Sequence, residues 1–512
     1  MDVMLYKLTS ATLYGIEAQA VDMEIDIAGG LPGMIIVGLP DTSIRESKDR
    51  VRAAMKNSGF PLPPAKIVIN LAPADLKKEG SGFDLPLSVG LLAHLGHFPA
   101  ARLADYLFLG ELALDGRVKP VRGVLACAVL AEKEGFRGIV CPKGNEKEAA
   151  LVRSLAVYGL NSLTEVVSLL KDPAAWDPAE CALPTGEDEV GSGVNFAHIH
   201  GQAQVKRALE VAAAGGHHVM MTGPPGAGKT LLARAVPSIM PPLSELEIIE
   251  VTRIYSAVGL LGRRGAILNR PFRSPHHTVT DAGLIGGGLF PRPGEVTLAH
   301  QGILFLDELP EFRRKVLEDL RQPLEDGQIT ISRGARAVTF PSDFMLMAAM
   351  NPYEDVFIGA EQTSVDYGDA MRRRYYSKIS GPLMDRIDIQ VEVPKVPYGA
   401  LSAVQGGEES KEIRHRIIAA RNRQEKRLRQ RGKKRNDQME MEEIKRFCVP
   451  DGEGMRLLET AVERLGFSAR GYTRVLKVAR TIADLAGEDR IRTGHISEAI
   501  QYRLKNASIK TE

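Results

Sequence analysis

Residues 217–236 read His-His-Val-Met-Met-Thr-Gly-Pro-Pro-Gly-Ala-Gly-Lys-Thr-Leu-Leu-Ala-Arg-Ala-Val. A short apolar run enters a glycine-rich loop, and the loop opens on a helix-forming stretch. Strand, glycine loop and helix are the context in which the pattern GxxxxGK[ST] binds phosphate. Gly223, Pro224, Pro225, Gly226, Ala227 and Gly228 form the loop. Its backbone N–H groups converge on phosphate oxygens, and the helix N-terminus adds a favourable dipole. Lys229 reaches the terminal phosphates and Thr230 ligates Mg2+, so ATP and Mg2+ are the expected cofactors.

Two more strands complete the constellation. Ile303–Leu306 ends in Asp307-Glu308, where the first carboxylate can hold hydrated Mg2+ and the second can orient and deprotonate the attacking water. The run FMLMAAM ends at Asn351, whose amide can position that water from between the two motifs. Arg386, in Gly381-Pro-Leu-Met-Asp-Arg386-Ile-Asp, precedes a further strand. It is either a finger toward a neighbouring subunit's γ-phosphate or a partner of Asp385 or Asp388. Ser468 starts a helix carrying Arg470 and Arg474 one turn apart. One of the two reaches the nucleotide in cis; Arg470 is favoured by its place at the helix start, with Arg474 still open.

The rhythm around these motifs predicts an α/β fold: an amino-terminal α/β domain over 1–170, a Pro/Gly/acid-rich linker over 171–194, a parallel-sheet P-loop core over 195–395, and a helical lid over 396–512. At 512 residues, 44% apolar and 25% charged, the chain has the composition of an ordinary globular protein of several domains. With 66 basic and 64 acidic side chains, a nucleic-acid surface has to be local. No leader pattern or membrane-length apolar run occurs, so a cytoplasmic location without a membrane partner is expected. The four cysteines form no CxxC pair and read as inert thiols.

Three segments could touch a polymer. The glycine triplet 286–288, followed by Leu289, Phe290 and Arg292, reads as a flexible tip inserted within a helix. Nearby His276, His277 and His300 lack the spacing and cysteines of a metal site, which favours polar packing. Residues 328–340 alternate about a glycine turn and predict a β-hairpin with Arg333 and Arg336 at its tip. From Lys411 to Arg435, twelve Lys or Arg face two acids, Glu412 and Glu425. Such a run, including Arg427, Arg429 and Arg431, is either a solvated helix face or a phosphate-backbone surface.

Over essentially its full length the chain resembles the ComM/YifB group of magnesium-chelatase-like AAA+ proteins. The resemblance rests on GLPDTSIRESKDRVRAA, INLAPADLKKEGSGFDLPL, RPFRSPHHTVTDAGLIGGG, LFLDELPEF, SGPLMDRIDI and SARGYTRVLKVARTIADL. It implies a Lon-protease-like domain, a hexameric AAA+ motor with a helix-two insert and presensor hairpin, a small helical lid, and DNA branch migration by a ring helicase. The cysteine cluster that many relatives carry after the sensor Asn-Pro is missing from residues 351–376, which end in Arg372-Arg373-Arg374-Tyr-Tyr. Against Lon peptidase the serine position falls on Gly82 and the lysine position on Leu125. Neither supplies a nucleophile or base. Ser81 lies one residue off, with Lys119 and Lys133 nearby, but such a shift misplaces a nucleophile by more than hydrogen-bond reach, so this domain is expected to be an inactive scaffold or ring-assembly module. The leading function is an ATP-driven DNA motor; a metal-chelatase-type ATPase and a protein-remodelling ATPase are the alternatives.

Overall fold

The computed structural model describes residues 6–181, 194–262, 264–288, 291–333, 336–353, 375–376, 378–379, 381–396 and 407–503. The chain divides into two compact units: Met1–Thr185 with Ser244–Ile267, and Gly186–Leu243 with Leu268–Glu512.

Unit one is built on a seven-stranded mixed sheet. Its strands are β1 (Tyr6–Tyr14), β2 (Glu17–Ala28), β3 (Gly33–Val37), β4 (Lys66–Ala72), β5 (Tyr106–Phe108), β6 (Gly138–Pro142) and β7 (Ala156–Leu160), in the order β3-β4-β2-β1-β5-β6-β7. The stretch expected as a linker begins inside this unit. Trp176 packs on the unit-one core and the Ala179 N–H donates to the Val157 carbonyl at 2.8 Å. A single aromatic anchor carries no period, so no apolar pattern announces it.

The excursion 244–267 contributes helix Glu245–Val258 to the same unit. Ser244 and Glu247 form a capping box at its start and Gly259, at φ +76°, ends it. The buried Ser256 hydroxyl bonds the Glu148 carboxylate. Burial pushes the Glu148 carboxyl above its usual range, a tendency that Ser256 and Asn145 oppose.

Unit two carries a five-stranded parallel sheet. Its strands are β8 (Val219–Thr222), β9 (Phe272–Arg273), β10 (Ile303–Leu306), β13 (Met345–Met350) and β14 (Ile389–Glu392), ordered β9-β10-β13-β8-β14. β10 and β13 are buried at every residue, as expected of central parallel strands covered on both faces. β11 (Gln328–Arg333) and β12 (Arg336–Pro341) form the expected antiparallel hairpin, with Arg333 opposite Arg336 as its last pair; the side chains of those two arginines lie outside the described residues.

The lid helices Ser410–Leu428, Gly452–Leu465 and Ala469–Leu485 share one core with β8 and the P-loop helix Lys229–Ile239. In the insert, helix Asp281–Ile285 leads to a two-residue ladder of Gly286–Gly287 against Arg292–Pro293. A Cβ on Gly286 would meet the Arg292 carbonyl at 2.4 Å. Leu289, Phe290 and Arg372–Arg374 are outside the described residues. Among the described residues no helix is long and apolar enough to cross a membrane. Cys127, Cys141 and Cys448 are buried, and burial pushes the Cys448 thiol up to about 12.

Asp84 is fully buried in unit one. It accepts from Arg50 Nε at 2.8 Å and Nη2 at 3.0 Å, and from the Leu112 N–H at 3.2 Å. Removing one partner of a buried pair strands the other charge. Asp84→Ala should therefore cost about 3 kcal/mol of unit-one stability. The chain's one tryptophan, Trp176, packs in this unit, so its emission in a urea titration measures that loss.

Candidate active site

The sheet order decides which residues meet. β13 lies between β10 and β8, so Asn351, off the end of β13, falls between Asp307, off β10, and the P-loop, off β8. All three strands are parallel, which puts their carboxyl ends and the following loops on one edge.

Gly223 must be glycine because a Cβ there would meet the Val393 carbonyl at 2.2 Å. Gly226 and Gly228 hold φ of +75° and +86°, and a Cβ on either would meet nothing within 4 Å. This left-handed backbone turns the loop into the helix that begins at Lys229.

Lys229, 7% exposed, donates from Nζ to the Gly223 carbonyl at 2.6 Å, the Pro224 carbonyl at 3.0 Å and Asn351 Oδ1 at 2.8 Å. Thr230 Oγ1 donates to Asp307 Oδ2 at 2.7 Å. The hydroxyl and carboxylate assigned to Mg2+ thus already touch. They are hard oxygen donors of the kind that hold a largely hydrated Mg2+ beside phosphates, so the residues present fit the ion.

Glu308 is 55% exposed on its side chain, and its left-handed backbone (φ +52°) turns the chain sharply after β10. Its N–H donates to Asp307 Oδ1 at 3.0 Å. His277 Nδ1 lies 3.4 Å from Glu308 Oε2. The other two histidines have separate partners: His276 Nδ1 meets Thr278 Oγ1 at 2.9 Å, and buried His300 accepts from the Asp343 N–H at 3.1 Å.

Gln202 was not singled out by the sequence. It donates from Nε2 to the carbonyls of Ala227 and Pro394, both at 2.9 Å, and so braces the P-loop against the chain beyond β14. Nothing local marks it, because the brace spans 192 residues.

Three family models match the chain: magnesium chelatase subunit ChlI over residues 195–401, a second ChlI model over 23–145, and the ChlI C-terminal model over 407–503. The protein YifB of Escherichia coli is 42% identical over 96% of this chain and 95% of its own length. The competence protein ComM of Haemophilus influenzae is 41% identical, again over 96% of this chain and 95% of its own. The chain belongs to the magnesium-chelatase-like AAA+ ATPase family. A stretch of 132 residues is also similar to the Lon protease of Rhizobium meliloti, at 26% identity, covering 24% of this chain and 16% of that one.

Within this family fold, the arginines sort differently from the expectation. Arg386 is buried, and its partner is neither Asp385 nor Asp388. Its Nη2 contacts Glu325 and its Nη1 donates to the Pro382 carbonyl at 2.6 Å. Asp388 is taken by Arg474, at 2.7 Å. Burial alone would raise the Asp388 carboxyl, but Arg474 and His217 hold it well below the usual carboxylate range. Arg470 is 62% exposed, 3.9 Å from Glu325. Of the two lid arginines, Arg470 is the one whose side chain is not locked in a buried pair.

Most of the guanidiniums in the basic run 411–435 already have partners. Arg416 pairs with Glu210 and Glu408, and Arg421 donates to the Ala213 carbonyl at 2.7 Å. Arg427 makes a two-pronged pair with Asp484 at 3.0 and 2.6 Å. Arg431 meets Glu442 at 2.7 Å, Lys433 meets Glu440 and Glu443, and Arg435 meets Asp343 and Asp437. The acids are distant in sequence, or just beyond the run, and a local count of charge misses them. Arg427 is therefore withdrawn as a nucleic-acid contact, because its guanidinium is a half-buried strut of the lid, tied to buried Asp484. Arg429 remains exposed.

Arg427→Ala should lower unit-two stability by about 2 kcal/mol, the scale of a charge-assisted hydrogen bond. Arg429→Glu should change it by less than about 0.5 kcal/mol. Urea unfolding followed by far-ultraviolet circular dichroism compares the two.

Proposed function

We propose that this chain is a Mg2+-dependent ATPase that assembles as a homo-oligomeric ring, six-membered by resemblance, and moves on DNA as a branch-migration or helicase motor. The observation that carries the ATPase reading is the meeting of Thr230 with Asp307 and of Lys229 with Asn351. The DNA reading is supported by the hairpin that places Arg333 and Arg336 at its tip, and by a relative whose name is that of a competence protein.

In this reading Mg2+, when bound, neutralises charge on the phosphate oxygens. Thr230 and Asp307 hold it. Lys229 exchanges its loop carbonyls for the terminal phosphates, Glu308 takes a proton from the attacking water, and Asn351 orients that water. Arg386 serves as a finger in trans once it gives up Glu325; Arg470 serves the nucleotide in cis.

Unit one acts as a scaffold rather than a peptidase. Leu125 is fully buried, and Ser81 is bonded to Glu111, whose other oxygen lies 3.5 Å from Lys119. Gly82 and Leu125, the residues at the two matched positions, supply neither a nucleophile nor a base.

Phosphate release by the purified chain should stop in Lys229→Ala and Glu308→Gln, with Glu308→Gln still binding a fluorescent ATP analogue. Turnover by Glu308→Gln at the wild-type rate would remove the base assignment. On a four-way junction, binding should fall steeply with salt, with a log–log slope of about one per phosphate contact. The double substitution Arg333→Ala/Arg336→Ala should reduce DNA-stimulated turnover while sparing the basal rate. Absence of any DNA binding by the wild-type protein with ATP would instead favour a protein-remodelling ATPase.

A further inference from the structure

Ahead of the hairpin, three guanidiniums stand around one carboxylate. Glu325 lies on helix Arg321–Asp326, which Gly327 at φ +62° ends just before β11. Its Oε1 accepts from Arg386 Nη2, and Arg470 Nη2 stands 3.9 Å from the same oxygen. Among the described residues the Arg321 side chain makes no hydrogen bond or ion pair, and its Nε, like that of Arg386, is closed to water without a partner. Buried donors are nearly always bonded, so two orphans beside one carboxylate call for an explanation.

Arg321 and Glu325 are one turn apart on one face of their helix, the spacing at which an arginine and a carboxylate pair. Arg321 also acts on Arg386. Burial lowers the hold of the Arg386 guanidinium on its proton, Glu325 opposes this, and Arg470, Arg474 and Arg321 add to it. The carboxylate that suits Arg321 is thus occupied by Arg386.

That occupancy bears on hydrolysis in trans. Arg386 is 7% exposed, with Nη1 on the Pro382 carbonyl at 2.6 Å and Nη2 on Glu325. Its fork has to leave Glu325 before it meets a phosphate on a neighbouring subunit, and a carboxylate left without a partner would draw it back. Arg470 is committed to the nucleotide, whereas Arg321 has neither a phosphate nor a carboxylate. We infer that Arg321 is a positioning residue for hydrolysis in trans: its guanidinium takes the Glu325 carboxylate as Arg386 leaves for the neighbouring γ-phosphate, and so keeps the finger extended. The inference rests on the reading of Arg386 as that finger.

Steady-state phosphate release by the full-length chain tests this, at protein concentrations where kcat no longer rises. Arg321→Ala should lower kcat about threefold, the scale of one partly exposed charge contact, with KM for ATP unchanged. Arg321→Lys keeps the charge and should return kcat toward wild type. Glu325→Gln should keep kcat at or above wild type, since an uncharged amide does not draw the finger back. In the Glu325→Gln background, Arg321→Ala should then cost nothing further, a suppression that a purely structural arginine does not give. Wild-type kcat in Arg321→Ala, no recovery in Arg321→Lys, a loss in Glu325→Gln alone, or an undiminished threefold loss in the double variant overturns the inference. Arg386→Ala should be inactive; wild-type turnover by that variant instead overturns the finger assignment beneath it.

Discussion

The hydrogen bond from Thr230 to Asp307 spans 77 residues of chain, and the site depends on it. It requires that the first turn of the P-loop helix and the end of β10 reach one point, although β13 separates their strands. Parallel strands make this possible, because every carboxyl end falls on the same edge and the crossover helices are kept off it. Asn351 then sits between the two motifs by topology alone, and its bond to Lys229 closes the group. A residue that reorders these strands or lengthens one of them would separate hydroxyl, carboxylate and amide even if each motif stayed intact.

Charge in unit two follows a different logic. The lid is rich in arginine, yet most of those guanidiniums are bound to carboxylates or carbonyls of the ATPase core and of the lid itself. Asp388 joins the strand after Arg386 to the lid through Arg474 and lies against buried His217. Asp484 gathers Arg427, Arg480 and Asn436. Buried charges of this kind persist only when paired and hydrogen-bonded. The network therefore reads as the means by which the lid is held in one arrangement on β8 and β14, rather than as a polymer-binding surface. Any surface that binds a polyanion must come from residues left out of it, such as Arg429 or the hairpin tip.

Unit one shows how a domain can draw on sequence that lies inside another. Helix Glu245–Val258 follows the P-loop helix in the chain but packs with unit one, where Ser256 meets Glu148 and its carbonyl receives the Gly123 N–H. The chain thus enters and leaves unit one between the P-loop helix and β9.

The sequence by itself determined the glycine loop between strand and helix, the strand ending in Asp307-Glu308, the place of Asn351 at the end of a buried strand, the hairpin and the family. Each is a local pattern in which neighbouring residues carry the physics: glycine torsions, apolar periods and a carboxylate at a strand end. Tertiary structure alone decided the rest. It assigned Arg386 to Glu325 and Arg474 to Asp388, turned Arg427 from a candidate DNA contact into a strut, and brought Gln202 to the P-loop and His277 to Glu308. Those partners are separated by 25 to 192 residues of chain, from Gln202 and Ala227 to Gln202 and Pro394. Charge and hydrogen-bond pairing act through space, and the order of residues along the chain does not record which distant group will arrive.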